Sequence, residues 1–250
     1  SRRRHTKFRN VTGVQTCALP ISRVTRVPTD GGDVYLKQID IPYSAEPALL
    51  PALGRWFPGK TPDVLAVDTS RRWILMEDAG TTLREALKAK FAPESLGRAL
   101  ARVAEIQRGC VGRVDELLKL GLADWRTERL PALYRQMVEA GDLPERAALL
   151  DFAPRVEKLS AALAACGVPE TIEHCDFHDN NVLVRDGRMT VADWGDAVIA
   201  HPFLSQASCL ISAERNHLLP DAEAPPIAAV YLEAWRDVAP MDRLERAASL

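Results

Sequence analysis

The 250-residue sequence lacks any uninterrupted apolar run near the roughly 20 residues that a membrane-crossing helix needs, which argues against a membrane-spanning protein. Its five cysteines form no CxxC pair and no regular framework. That pattern argues against a disulfide scaffold and reads as free thiols in a reducing, cytoplasmic compartment. Neither sign of charge dominates, with 32 basic residues against 34 acidic. What remains is an ordinary globular composition, 47% hydrophobic and 26% charged, long enough for one large domain or two lobes.

The charge balance changes once the first 21 residues are set apart. Arg2, Arg3, Arg4, Lys7 and Arg9 form a basic tract with no acid, which in isolation would suggest a nucleic-acid tail. The stretch VTGVQTCALPI that follows, from Val11 to Ile21, resembles a translated sequencing-library adapter. Residues 1–21 are therefore expected to be a non-native segment, and the fold is read without them. The remaining body carries 27 basic and 34 acidic residues, a net charge of −7. An acidic body disfavours nucleic acid as a partner and suits a cationic substrate. Oligomeric state is left open.

Short β-type runs at Val24–Val27 and Val34–Ile39 are separated by Pro-Thr-Asp-Gly-Gly-Asp, the best hairpin signal in the chain. Lys37 lies in the second run. Ala45, Leu49, Leu50, Leu53 and Trp56 then recur at helical spacing up to Pro58-Gly59. Two more strands are expected at Val64–Val67 and Trp73–Met76. Thr82 and Glu85 stand at capping-box spacing ahead of a helix over Leu83–Lys90. Helical patterning follows at Leu96–Leu120, Glu128–Ala140 and Glu145–Cys166, with a kink or split expected at Pro154. Helices are also expected at Leu204–Glu214, Pro226–Trp235 and Met241–Leu250. Trp125, Trp235, Cys110, Cys166 and Cys209 read as core. The sum is an α+β chain: a small antiparallel sheet lobe with one helix over 22–80, and a large, mainly helical lobe over 81–250.

The chemistry concentrates in residues 174–196, HCDFHDNNVLVRDGRMTVADWGD. Apolar runs at 182–184 and 188–192 flank the turn residues Asp186-Gly187, predicting a hairpin. Such a hairpin sets Asn181, just before its first strand, beside Asp193, just after its second. Both offer the oxygen ligands that Mg²⁺ prefers. Asp176 lies in the loop approaching the same edge, where a carboxylate can orient and deprotonate an attacking hydroxyl. Phosphoryl transfer further asks for a cation on the phosphates, and Lys37, partnered by Glu46 on the following helix, is the candidate.

Here the residues carry a resemblance. His174-x-Asp176-x₄-Asn181 followed by Asp193-x-Gly195 is similar to the catalytic-loop and metal-loop motifs of the protein-kinase-like fold. In detail it resembles the aminoglycoside phosphotransferase and choline-kinase-like branch, over residues 24 to about 237. The resemblance implies a two-lobed kinase-like fold and ATP and Mg²⁺ as cofactors. It implies Asp176 as catalytic base, Asn181 and Asp193 as metal ligands, and Lys37 with Glu46 as the phosphate clamp. His174 would brace the loop. ILMEDAG at 74–80 is similar to the family's inter-lobe connection, where backbone near Met76 and Glu77 would meet the adenine edge. His178 and Asp196 are candidates for the acceptor side, against supporting the loop or capping a turn.

Three departures stand out. Cys175 replaces the family's usual Gly, which suits the backbone only if that position needs no positive φ. Trp194 replaces the common Phe. No glycine-rich nucleotide loop precedes the strand at Arg23, so the sheet lobe is expected to be truncated at its N-terminal side; truncation is expected at the C-terminal end as well. The resulting expectation is a Mg-ATP-dependent phosphotransferase acting on a hydroxyl of a small polar acceptor, such as an aminoglycoside, an amino sugar or an amino alcohol. The competing readings are a catalytically silent kinase-like binding protein and a zinc hydrolase using His174, Asp176, His178 and Asp193.

Overall fold

The computed structural model describes residues 22–40 and 44–250; the readings placed on residues 1–21 lie outside this range. Strands β1 (Ser22–Thr29) and β2 (Gly32–Ile39) form a hairpin tighter than expected. Its register runs from Ser22↔Ile39 to Thr29↔Gly32, so only Asp30 and Gly31 form the turn. With β3 (Val64–Asp68) and β4 (Trp73–Glu77) it makes a four-stranded antiparallel sheet in the order β1-β2-β4-β3. Helix α1 (Glu46–Trp56) packs beneath this sheet through Leu49, Leu50 and Leu53, all at most 1% exposed.

The chain leaves the sheet through residues 78–80. Gly80 is obligatory there: its φ is +99°, and a Cβ would stand 2.2 Å from the Val184 carbonyl oxygen. Strand β5 (Thr81–Thr82) then pairs with β8 (Val182–Arg185), and Thr82 caps helix α2 (Leu83–Ala89) through the Glu85 amide. The central helix α3 (Glu94–Cys110) buries one stripe, including Leu96, Leu100, Val103 and Gln107. The single run expected over 96–120 is interrupted: a 3₁₀ turn at Val111–Arg113 separates α3 from α4 (Val114–Lys119). Gly109 admits the Phe57 ring, since a Cβ there would approach Phe57 Cε1 to 2.3 Å.

Helices α5 (Leu130–Ala140) and α6 (Arg146–Ala165) pack against each other as a hairpin. The helix runs through Pro154 without a break, with the proline on its exposed face. Helices α7 (Leu204–His217), α8 (Ala224–Glu233) and α9 (Met241–Ser249) complete the lobe. A small sheet of β6 (Ala123–Asp124), β10 (Val198–Ala200) and β7 (Thr171–Glu173), in that order, was not anticipated. Trp235 is fully buried, but Trp125, read as core, is 46% exposed beside β10. The architecture is the expected two-lobed α+β arrangement, and among the described residues no helix is long and apolar enough to cross a membrane.

Candidate functional site

The site is organised by a second hairpin, in which β8 pairs with β9 (Arg188–Val191). Asp186 and Gly187 both take positive φ, which lets the turn match the twist of its strands. The Val182↔Val191 register, extended by a bond from the Ala192 amide to the Asn181 carbonyl, sets Asn181 and Asp193 at one end of the hairpin. A 3₁₀ turn, Asp179–Asn181, leads into it, and another, Trp194–Asp196, leads out.

Lys37 reaches this end from the sheet lobe. Its ammonium donates to Glu46 Oε2 at 2.5 Å and to Asp193 Oδ1 at 2.6 Å, across 156 residues of sequence. Lys37 and Glu46 are buried, whereas the Asp193 side chain is half-exposed. Burial alone would lower the lysine pKa, yet Glu46 and Asp193 together hold it above its ordinary value. Burial raises the Glu46 pKa, and Lys37 opposes it; at Asp193, Lys37 overcomes burial and keeps the carboxylate low. Glu46 Oε1 also accepts the Trp194 amide at 3.1 Å. One carboxylate thus ties α1 both to β2 and to the Trp194–Asp196 turn.

The loop after β7 carries the remaining candidates. His174 is fully buried and donates through Nε2 to the Ala192 carbonyl at 3.0 Å, bracing one side of the hairpin. Its ring lies 4.7 Å from that of Trp194, which fills the position where Phe is commoner and donates to the Val191 carbonyl. Cys175 has a φ of +63°, the left-handed conformation that its family position as Gly would suit. The condition set on that substitution is therefore not met, and the backbone carries the cost of about 1–2 kcal/mol for a side chain there. Burial, with Glu173, Asp196 and Asp176 adding to it, pushes the thiol up to about 12, so it stays protonated.

Asp176 is exposed at the cleft. Its carbonyl and Oδ2 accept from Asn181 Nδ2 at 2.9 and 3.1 Å. With its amide nitrogen so engaged, Asn181 presents Oδ1 as the free acceptor. His178 accepts the Asn180 amide at Nδ1, which leaves the ring proton at Nε2, 3.4 Å from Asp176 Oδ1. It therefore supports the loop and touches the base candidate at once. Burial would raise the Asp176 pKa, but His178 and His174 keep it below the usual carboxylate value. Asp196 is shifted upward, first by burial and then by Asp193 and Asp176, which places its carboxyl in the same electrostatic field.

The residues fit a divalent hard cation. Asn181 Oδ1 and Asp193 Oδ2 are oxygen acceptors with no partner among the described residues, at one end of one hairpin. A zinc-type site is not supported, because no group of three or more His, Cys, Asp or Glu side chains that could hold a metal occurs among the described residues. At the inter-lobe connection, Met76 is half-buried against the core, and the Glu77 amide is committed to the Asp63 carbonyl at 2.9 Å. The Gly80 amide is taken by Asp78 Oδ1. Among the described residues the amides of Asp78 and Ala79 have no partner, and they lie one or two residues beyond the positions expected.

Two buried networks escaped the sequence reading. Asp179 accepts from Arg84 and Ser212, both buried with it, and from His217, a half-buried residue whose side chain is 3% exposed. Glu173 accepts the Cys175 amide at 3.0 Å, Ser205 Oγ at 2.6 Å and Gln107 Nε2 at 3.2 Å. Burial dominates there and raises its carboxyl to about 7. Both networks lie next to motif residues, and that adjacency was the only signal available. His201-Pro202-Phe203 anchors the chain that follows the hairpin, with Phe203 edge-on to Tyr231 and Trp235.

Comparison with known proteins agrees with the two-lobed fold. A family model described as the phosphotransferase enzyme family matches residues 22–246. No curated protein matches the chain. Among solved structures, a choline/ethanolamine kinase family protein from Mesorhizobium loti superposes with a TM-score of 0.58 at 19% identity, covering 84% of this chain and 69% of its own. An aminoglycoside-3'-phosphotransferase of type VIII gives 0.59 at 17% identity, covering 94% and 90%. A macrolide 2'-phosphotransferase from Brachybacterium faecium gives 0.54 at 16% identity, covering 90% and 77%. At these identities the likeness is one of fold.

Proposed function

Because the chain belongs to the phosphotransferase enzyme family, whose model spans residues 22–246, we propose that it transfers the γ-phosphoryl group of ATP to a hydroxyl of a small polar acceptor. The observation that carries this reading is the meeting at one hairpin end of two bonded pairs, Lys37 with Asp193 at 2.6 Å and Asn181 with Asp176 at 2.9 and 3.1 Å.

In this reading Asp176, held ionised, accepts a hydrogen bond from the acceptor hydroxyl, orients it and takes its proton. Lys37, kept cationic by Glu46 and Asp193, leans on the phosphates. Asn181 Oδ1 and Asp193 Oδ2 would hold Mg²⁺, which supplies charge neutralisation on phosphate oxygens when bound. The adenine edge meets the connection at 76–79, with the amides of Asp78 and Ala79, unpartnered among the described residues, as donors. Closure of the lobes would exclude competing water. Asp176 and Asp196 give the open side of the site an acidic rim, which favours a cationic acceptor such as an aminoglycoside, an amino sugar or an amino alcohol, and a cytoplasmic setting follows from ATP use.

A panel of such alcohols with Mg-ATP, run on the chain and on Asp176→Asn, tests the assignment. Asp176→Asn should lower turnover by about 10²–10⁴-fold with nucleotide binding retained. Undiminished transfer by the variant would remove Asp176 from its role, and nucleotide binding without transfer to any acceptor would point to a silent binding protein.

A further inference from the structure

Asp179 opens the 3₁₀ turn that carries Asn181 two residues later, and it is 1% exposed. Five contacts converge on its carboxylate. Arg84 donates through Nε at 3.1 and 3.2 Å and through Nη2 at 2.8 Å. Ser212 Oγ donates at 3.1 Å, and His217 Nε2 stands 2.6 Å from Oδ2. Asn216 Nδ2 in turn donates to the Ser212 carbonyl at 2.8 Å. The grip comes from two helices far apart in sequence: Arg84 from the first turn of α2, Ser212 and His217 from the end of α7.

Arg84 is itself placed by the hairpin. Thr82, two residues before it, pairs with Leu183 in β8, and β8 begins directly after Asn181. The turn is thus fixed at both ends, by strand pairing on one side and by the Asp179 clamp on the other. Its own backbone adds the bond from the Asn181 amide to the His178 carbonyl, at 2.9 Å.

A buried ion pair is poor glue. Desolvation of its charges consumes most of the attraction, and apolar replacements of equal volume often stabilise a protein. What a forked guanidinium and a carboxylate supply instead is direction. We infer that Arg84, with Ser212 and His217, is a positioning residue for Asn181, acting through Asp179 to aim the amide oxygen at the metal. The inference rests on the reading of Asn181 as a metal ligand. Groups that orient a ligand from outside the coordination sphere typically alter metal affinity by 10–100-fold when removed.

The experiment titrates Mn²⁺, with ADP present, into the chain and into Arg84→Met, Arg84→Lys, Ser212→Ala and Asn181→Ala, following water-proton relaxation. Thermal midpoints and nucleotide binding are recorded for each, with Arg108→Met, which loses contacts to Asp237 and to the Ala234 carbonyl, as a control. Arg84→Met should weaken Mn²⁺ binding at least tenfold, Arg84→Lys less, and Ser212→Ala about two- to threefold. A lowered midpoint with unchanged Mn²⁺ affinity in Arg84→Met would overturn the inference, leaving Arg84 as packing. If Arg84→Met does not fold, Ser212→Ala decides alone by the same criterion. Mn²⁺ affinity unmoved in Asn181→Ala would instead defeat the ligand reading, a failure separate from that of the Arg84 assignment.

Discussion

Two ionic clusters grip opposite ends of the segment 179–193, which holds the β8–β9 hairpin. Lys37, Glu46 and Asp193 join the lobes and leave Asp193 half-exposed to the cleft. Arg84, Asp179 and His217 lie within the helical lobe and are shut away from water. Both pair a long cation with a buried carboxylate at hydrogen-bond distance. They differ in whether one member keeps an oxygen facing open space. The cluster with a free oxygen can handle a ligand, whereas the closed one can only hold something else still. Glu173 provides a third case, a buried carboxylate with four donors and no cation. Lys37 and Arg84 hold Asp193 and Asp179 low against burial, while Glu173, without a cation, rises to about 7.

The largest break in this comparison should come from Lys37→Met. It strands Glu46 without its cation at a cost of about 3–5 kcal/mol, and turnover should fall about a hundredfold or more as the phosphates lose their charge partner. Adding Glu46→Leu should restore most of the thermal midpoint and none of the turnover. Recovery of both would make this cluster structural, like the closed one.

A smaller effect sharpens the role of the missing cation. Glu173 is protonated more readily in the folded chain than in the unfolded one, where its pKa is near the ordinary 4.5. Its contribution to stability is therefore complete below about pH 4.5 and is lost as pH rises towards about 7. The full swing is about 3 kcal/mol. Glu173→Gln should flatten urea-unfolding stability over that window, and a slope that persists in the variant would assign it to other groups.

The smallest change is expected at Cys175. Cys175→Gly relieves the left-handed strain but loosens the unfolded chain, so a gain of at most about 1 kcal/mol should appear in the denaturation midpoint. A loss would mean that packing of the half-buried thiol outweighs the backbone cost.

These contrasts also explain which parts of the molecule could be read from sequence. Lys37, Glu46, Asn181 and Asp193 were legible because metal and phosphate chemistry restricts residue types at fixed spacings, and hairpin geometry then says which ends meet. The four-stranded sheet was legible from alternation and turn residues. Arg84, Asp179 and His217 were not, since they are distant in sequence and any polar residue could have occupied each position. Strands β6, β7 and β10 are two or three residues long, too short for a period of two to register. The positive φ at Cys175 and the engagement of the Glu77 amide are backbone facts without a side-chain signature.

Glu46 has a consequence beyond charge pairing. Its two oxygens serve different clients, Lys37 through Oε2 and the Trp194 amide through Oε1. Because both bonds leave one carboxylate on helix α1, a shift of that helix would strain its hold on the strand and on the turn together, while Lys37 keeps its own bond to Asp193.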